Sequence, residues 1–462
     1  MGSLKNASGD RGVEKPTRTA LVPFRDALRF WVKLGFINFG GPAGQIAIMH
    51  DELVERRRWI SNNRFLHALN YCMLLPGPEA QQLAIYIGWL LNGMAGGLVA
   101  GVFFVLPAFF LILALSWAYA VHGDIAWVAA IFYGLSAAVI AIVASAVIRV
   151  GSKALDHLIG LAIAVVAFVA IFFVKVPFPI IVVGAAIVGL VGSRVRPDLF
   201  TPTTHGGDDG GSVLGDAVAQ DAVRPTLGRA LRVVAVGLLV WWGPLLLVIA
   251  IRGLDDTVSK EAIFFSQAAM VTFGGAYAVL SYINQAAVHQ FGWLAPGEMV
   301  TGLGLAESTP GPLIMVTEFV GFLAGYHFPG GLDPVAAGVL GAAVAVWATF
   351  APCFLWIFLG APYIERLRGN RALNGALSAV TAAVVGVILN LAVVFAIHTL
   401  FDDVSTGRAL GVTFPLPQLG SIDLFAAGLA TIAFVGLWRF KWKVLPVVLA
   451  CAVAGLIYRG LF

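Results

Sequence analysis

Apolar residues dominate this chain in long blocks, many of them on the scale of a lipid bilayer. Nearly unbroken runs lie at 158–174, 178–192, 233–251 and 335–361. A helix of roughly 18 or more apolar residues can span the hydrocarbon core. Read in this way, the chain falls into two sets of six apolar segments. The first set lies near 24–49, 65–92, 96–120, 125–148, 156–174 and 178–193, and the second near 261–289, 299–326, 335–361, 373–400, 421–438 and 444–460. A polar stretch at 194–230, with a Gly- and Asp-rich tract at 205–211, separates them, and one more apolar segment follows at about 231–252. This predicts an all-α polytopic membrane protein. Its expected divisions are an N-terminal tail at 1–23, a first repeat at 24–193, a linker plus connecting transmembrane helix at 194–257, and a second repeat at 258–462.

The two sets are related by duplication. Phe39-Gly40-Gly41 recurs as Phe273-Gly274-Gly275, Trp59 as Trp293, and Pro76-Gly77-Pro78 as Pro310-Gly311-Pro312, each time 234 positions later. Further along the offset grows. Pro107 pairs with Pro352 and Ser136 with Ser378, so about ten extra residues enter the second half near 326–334.

Loop charge sets the expected orientation of the halves. Arg56, Arg57, Arg58 and Arg64 follow the first FGG, whereas 290–298 holds no Lys or Arg. Residues 121–125 hold none either, yet their counterpart at 362–371 carries Arg366, Arg368 and Arg371. Arg149 and Lys153 stand opposite Asp402 and Asp403. Cytoplasmic loops carry the Lys/Arg excess, so equivalent loops of opposite bias predict two inverted-topology repeats. The connecting helix supplies the odd crossing that inversion requires. The basic N-terminus and the Arg56–Arg58 loop both favour the cytoplasm, so segment 24–49 is expected to be a hairpin broken at Gly40-Gly41-Pro42. The PGP segment can fold the same way, giving interrupted, re-entrant helices. Such backbone is tolerated at membrane depth where protein shields it.

Composition narrows the function classes. Mean hydropathy is +0.90, with 59% hydrophobic and 12% charged residues, which leaves no room for a large soluble catalytic module. Residues 1–33 are basic and lack the apolar core of a signal peptide. The net charge of +4 reads as loop bias rather than a nucleic-acid surface. Cys72, Cys353 and Cys451 have no metal-ligand spacing, His50, His67 and His289 have none either, and neither a Walker A nor a redox-cofactor motif occurs. No cofactor, metal or catalytic residue is expected, and a membrane-embedded enzyme is the weaker alternative.

The chemistry is concentrated at the breaks. Each proline of PGP lacks an N–H and forces its predecessor out of helical geometry. Pro78 suits the first position of a new helix, whose backbone N–H groups at Glu79 to Gln81 then face an anion. Pro312, with Leu313 and Ile314, repeats this. Buried polar residues gather there: Asn38, Gln45, Asn70, Glu79, Gln81 and Gln82 in one half, and Gln267, Thr272, Glu307, Ser308, Thr309 and Glu318 in the other. The expected anion pocket is formed by Asn38, Gly40, Gly41, Pro76, Gly77, Pro78, Glu79, Gln81, Gln82, Gly274, Gly275, Ser308, Thr309, Pro310, Gly311 and Pro312. Glu79, Glu307 and Glu318 are candidates for proton coupling, since ionisable groups inside a span are functional by default. For any one amide or hydroxyl, ordinary interhelical hydrogen bonding is the competing reading.

At these residues the chain resembles the chromate ion transporter family, long-chain type. The likeness lies in FINFGGPAGQIAIMHDELV (36–54), the Trp59 region, LLPGPEAQQLAIYIG (74–88), VTFGGAYAVLSYI (271–283) and STPGPLIMVTEFVG (308–321). The resemblance implies a multi-pass protein of a bacterial inner membrane that exports chromate, is coupled to the proton-motive force and confers chromate resistance. Its partners would be chromate or a sulfate-like anion and the lipid bilayer, with a homodimer compatible with it. Sulfate, also a tetrahedral dianion, is the alternative cargo. The loop charges yield a test. A cysteine placed in 50–64 should react with an impermeant thiol reagent only from the cytoplasmic side, and one in 290–298 only from outside. Labelling of both from one side would refute inversion.

Overall fold

The computed structural model describes residues 22–39, 41–123, 125–155, 157–195, 226–273, 276–361, 371–409 and 412–461. Outside them lie most of the N-terminal tail, the 196–225 part of the linker, the loop arginines at 366 and 368, and Gly40, Gly274 and Gly275 of the duplicated triplets. Among the described residues, six helices are long and apolar enough to cross a membrane: Glu79–His122, Ala126–Ser152, Phe178–Val195, Leu227–Arg252, Pro334–Gly360 and Gly375–Leu400. The all-α polytopic class is therefore observed, with one short antiparallel hairpin, β1 (Val404–Ala409) and β2 (Val412–Pro417), as the exception.

Each half begins with a broken pair of helices. Helix α1 (Phe24–Ile37) stops at Asn38, and α2 (Gly41–His50) runs back with a π-helical extension over Asp51–Arg56. The return is fixed by side chains. Lys33 Nζ lies 3.2 Å from Glu52 Oε1, the Arg57 guanidinium sits over Phe30 and Trp59, and Trp59 packs edge-on against Phe30. The second half repeats the design. Helices α9 (Thr257–Met270) and α10 (Ala276–Asn284) are followed by a π-helical stretch at Gln285–Gln290, 234 positions after the first. Trp293 packs against Phe264, the counterpart of Phe30, and a stacked Phe291 replaces Arg57.

The PGP segments form a second hairpin in each half. Helix α3 (Asn62–Cys72) leads into Pro76-Gly77-Pro78 and then α4 (Glu79–His122). That helix is broken at Asn92 and Gly93, where Gly93 takes a left-handed φ of 63°. Its two arms, 79–91 and 94–122, lie against each other so closely that a Cβ on Gly88 would stand 2.5 Å from the Gly96 carbonyl oxygen. In the second half, α11 (Glu298–Ser308) leads through the break to α12 (Val316–His327), which packs on α13 (Pro334–Gly360) through Gly321 and Gly341.

The hairpins of the two halves open at opposite ends of the bundle. Asn92 Nδ2 donates to the Val22 carbonyl (2.9 Å), which places the 92–93 turn beside the start of α1. At the far end of the long arm, Tyr119 OH reaches Glu298 Oε1 (3.4 Å), at the start of α11. His327 contacts the Trp293 carbonyl there, and Arg252 donates to the Pro329 and Gly330 carbonyls. Helix α8 (Leu227–Arg252) connects the two ends and buries only Trp241 and Leu245. Pro244 deprives the Val240 carbonyl of its helical donor, and the Trp347 indole N–H, 3.1 Å away, supplies one.

The remaining helices interlock the halves. Helix α5 (Ala126–Ala154) packs on α15 (Leu424–Trp438) and α16 (Val444–Leu461) of the other half; α14 (Arg371–Leu400) packs on α6 (Leu158–Phe172) and α7 (Phe178–Val195). Small residues allow the approach. A Cβ on Gly189 would lie 2.2 Å from the Gly375 carbonyl oxygen, and one on Gly455 2.5 Å from that of Ala130. Ser136 in α5 and Thr381 in α14 each donate one turn back, to the Phe132 and Leu377 carbonyls (3.0 and 2.8 Å).

Gly134 tests the interlock. Its Cβ would stand 2.0 Å from the Cys451 carbonyl oxygen, so Gly134→Leu must push α16 away. Overpacking of this kind costs about 1–3 kcal/mol. The expected result is a lower melting temperature in detergent, while Gly184→Leu, where a Cβ meets nothing within 4 Å, leaves it unchanged.

Candidate functional site

The two PGP turns share an unusual backbone. Gly77 has φ 121° and Gly311 φ 126°, a region open to glycine at little cost. Pro78 and Pro312 follow in extended geometry, with ψ 105° and 136°. Pro78 is therefore the N-cap rather than the first helical residue. Its carbonyl already accepts from the Gln82 N–H at 3.0 Å, so the helix proper starts at Glu79. Pro312 precedes a 3-10 turn at Leu313–Met315 before α12. Both turns leave first-turn N–H groups without helical partners.

The breaks of one half bond to those of the other. Gly77 N–H donates to the Thr272 carbonyl (2.9 Å), and Gly311 N–H to the Asn38 carbonyl (3.2 Å). Asn38 and Thr272 occupy equivalent positions, each directly before its FGG. The PGP turn of each half thus closes on the FGG break of its partner. Gln45 Nε2 reinforces one of these junctions by donating to both the Asn38 carbonyl (3.1 Å) and the Gly311 carbonyl. Its counterpart is Val279, so the second junction has no such staple.

The expected site residues assemble around these junctions. Asn38, Gly41, Gly77, Pro78, Gln81, Gln82, Thr309, Pro310, Gly311 and Pro312 are buried, with Pro76, Glu79 and Ser308 partly buried; Gly40, Gly274 and Gly275 lie outside the described residues. The side-chain donors are committed to carbonyls. Asn38 Nδ2 donates to Phe104 O (3.3 Å), Gln81 Nε2 to Gly101 O (3.4 Å) and Gln82 Nε2 to Pro76 O (2.8 Å). The Thr309 and Ser308 hydroxyls donate to Leu305 O (3.0 and 2.9 Å). The amide oxygens of Asn38, Gln45, Gln81 and Gln82 are buried without partners. These side chains therefore present acceptors, and donors for an anion must come from backbone N–H groups.

Four features were not legible in advance. Tyr277 OH donates to Glu307 Oε1, and that oxygen of the tyrosine lies 3.9 Å from where a Cβ on Gly41 would stand. The Glu307 carboxyl is thereby tied to the start of α2. Arg149 interacts electrostatically with both Tyr277 and Glu307. Cys353, distant in sequence, faces the first break; a Cβ on Gly77 would lie 2.9 Å from its Sγ. Glu261 is fully buried in α9 with neither carboxylate oxygen bonded, as is Glu318 in α12. Glu261 begins the apolar segment 261–289 and stands opposite an alanine (Ala27) in the first half; a lone carboxylate at that position was the sequence signal for it.

A family model described as chromate transporter matches residues 25–190 and 260–456, nearly the whole of both halves. The chain belongs to the chromate transporter family. Members of this family similar to it include the probable chromate transport protein of Synechococcus elongatus, 29% identical over 93% of this chain and 94% of that one. The chromate transport proteins of Cupriavidus metallidurans (30%; 89% and 92%) and Pseudomonas aeruginosa (32%; 92% and 90%) are similar over comparable lengths. No solved structure matches the chain.

Gln45 offers a direct check of the junction. Gln45→Leu keeps the side-chain volume but removes the Gln45 donor from the Gly311 carbonyl and leaves the Asn38 carbonyl with the Gly311 N–H alone, at a cost of about 1–3 kcal/mol. A lower melting temperature in detergent is expected, together with faster hydrogen exchange at the Gly311 amide.

Proposed function

We propose that the protein is a secondary transporter that exports chromate by alternating access, driven by the proton-motive force. The reciprocal pairing of Gly77 with Thr272 and of Gly311 with Asn38 is the observation that carries this reading. Two duplicated breaks that close on each other, from hairpins opening at opposite ends, form the design expected of an inverted-repeat transporter with its site at the midplane. Family membership and the names of the relatives supply the cargo.

The end bearing the 56–58 turn also carries Arg194, Arg229 and the basic 439–443 loop, and positive-inside bias makes it cytoplasmic. An anion drawn to that end meets Arg149 and then the breaks. The backbone N–H groups at 79–81 and 313–314 bind it, with the positive ends of the half-helices adding favourable field. Binding without a buried Lys or Arg keeps the anion exchangeable. The bonds between the breaks close the pathway in this state, and exchanging them for anion contacts opens one side. Glu79, Glu307, Glu318 and Glu261 are the carboxyls that can hold the coupled proton. Glu318 and Glu261 are the stronger candidates, because a buried carboxylate without partners is costly and a carboxyl in its proton-bearing form is not.

Everted vesicles test this. Chromate uptake should require an imposed proton gradient, collapse with a protonophore, and fall when sulfate competes for the same donors. Glu318→Gln should bind chromate with affinity near that of the unaltered protein while losing gradient-driven uptake. Glu79→Gln, if Glu79 only caps its helix, should transport normally at lower protein yield. Well-inserted protein that leaves chromate accumulation unchanged would reject the assignment.

A further inference from the structure

Glu261 lies in the second turn of α9, about 6 Å along the axis from its start, and is fully buried. Neither of its carboxylate oxygens has a hydrogen-bond partner, and the buried hydroxyls of Ser259 and Ser266 on the same helix have none either. The carboxyl is aimed at the crossing of α12 and α13. A Cβ on Gly341 would stand 2.7 Å from Glu261 Oε2 and closer still to the Gly321 carbonyl oxygen, and one on Gly321 would stand 2.6 Å from the Gly341 carbonyl oxygen. The two glycines thus bring the backbones of α12 and α13 together, and the Glu261 carboxyl lies beside that contact.

The charged and titratable groups on the elements packed around α9 do not compensate it. Arg252, at the end of α8, spends Nη2 on Asp256 Oδ2 (2.8 Å) and on the Pro329 and Gly330 carbonyls (3.1 and 2.9 Å). Asp256 carries the same sign as Glu261, and Lys260 is exposed. Helix α12 contributes Glu318, buried with both oxygens unbonded, and His327, which contacts the Trp293 carbonyl oxygen. Helix α10 contributes Tyr277, which is bonded to Glu307, and Tyr282, whose ring lies 5.3 Å from that of Phe264. Helix α13 has no Asp, Glu, Lys, Arg or His from Pro334 to Gly360. A carboxylate at Glu261 would be a buried charge with neither counter-ion nor donor, which is costly; the neutral acid costs far less. The closed crossing therefore goes with the proton-bearing form. Loss of the proton favours any arrangement that lets water reach the two oxygens.

We propose that Glu261 is a proton-binding site that controls the packing of α12 on α13, reached from the end of the bundle where Asp256 caps α9. With the proton in place the crossing is closed; without it, α12 loosens from α13. Helix α12 starts directly after the Leu313–Met315 turn, so its displacement moves the second PGP break. Glu318, three residues before Gly321 and roughly 4.5 Å from it along the axis, stands between the crossing and that break. The first half has Ala27 and Ala84 at the positions of Glu261 and Glu318, so the device belongs to one half alone. Its use in driving anion export rests on the transport reading, whereas the titration of Glu261 and its effect on α12 do not.

Infrared difference spectra of the full chain in detergent, taken between pH 6 and pH 9, test the site. The unaltered protein should lose neutral-carboxyl C=O absorption as the pH rises, and Glu261→Gln should lack one component of that loss that Glu318→Gln retains. Glu261→Gln removes the charge with little change of shape, so at pH 9 it should melt no lower than the unaltered protein. Hydrogen exchange tests the control of packing. At pH 9 the amides of 316–323 should exchange about tenfold faster in the unaltered protein than in Glu261→Gln, the worth of one buried unpaired group, and at pH 6 the two should agree. Gly341→Ala, which wedges the crossing apart, should exchange fast at both pH values. Difference spectra that Glu261→Gln leaves unaltered would overturn the proposal, as would equal exchange of 316–323 in the two proteins at pH 9. Loss of the same C=O component on adding sodium at fixed pH would overturn it too, since the ligand would then be a metal cation. Chromate uptake that needs no proton gradient would instead count against the transport reading and leave the proton site standing.

Discussion

Backbone that leaves a helix at membrane depth must find its hydrogen bonds inside the protein, and the rest of this structure follows from that constraint. Each half interrupts two hairpins, and each interruption exposes amide groups that neither lipid nor a regular helix can satisfy. The solution is reciprocal. The Gly77 amide uses the Thr272 carbonyl, and the Gly311 amide uses that of Asn38. Neither half satisfies its own break alone, so the two must fold against each other. The left-handed glycines turn the chain so that these amides point across the interface.

The same reciprocity holds at the periphery, by a different means. Helices α5 and α14 each dock into the other half through backbone contacts at glycine and alanine, where Gly189 meets Gly375 and Gly455 meets Ala130. Lipid tails are as apolar as leucine, so burial of apolar surface contributes little to this docking, and close packing has to replace it. Helix α8 sits outside this arrangement. Its mostly exposed apolar surface fits a connector facing lipid, and its one internal proline is compensated by Trp347.

Chemical asymmetry is laid over this symmetrical frame. Glu307 and Tyr277 stand where the first half has Met73 and Ala43, Glu261 and Glu318 where it has Ala27 and Ala84, and Gln45 where the second half has Val279. The ionisable groups therefore concentrate in the second half, while the first half holds more of the amides. A symmetrical backbone provides two equivalent breaks; unequal side chains give one half most of the buried carboxyls and the other the amide that staples a junction.

Much of this was determined locally. Apolar run length set the helical membrane class, because a bilayer demands internally bonded segments of a given length. Pro and Gly marked the breaks, because their backbone limits act on neighbouring residues alone. A constant spacing of 234 exposed the duplication, and the paired π-helical stretches found in the structure keep that spacing. The tertiary structure decided which break meets which, since a hydrogen bond between Gly77 and Thr272 joins residues that share no local pattern. It also decided that Cys353 faces Gly77 and that Gln81 and Gln82 spend their donors on carbonyls. It showed Glu261, the first residue of an apolar segment, to be buried. Burial and partner choice depend on the packing of distant helices, and that information is not present in any one segment of the chain.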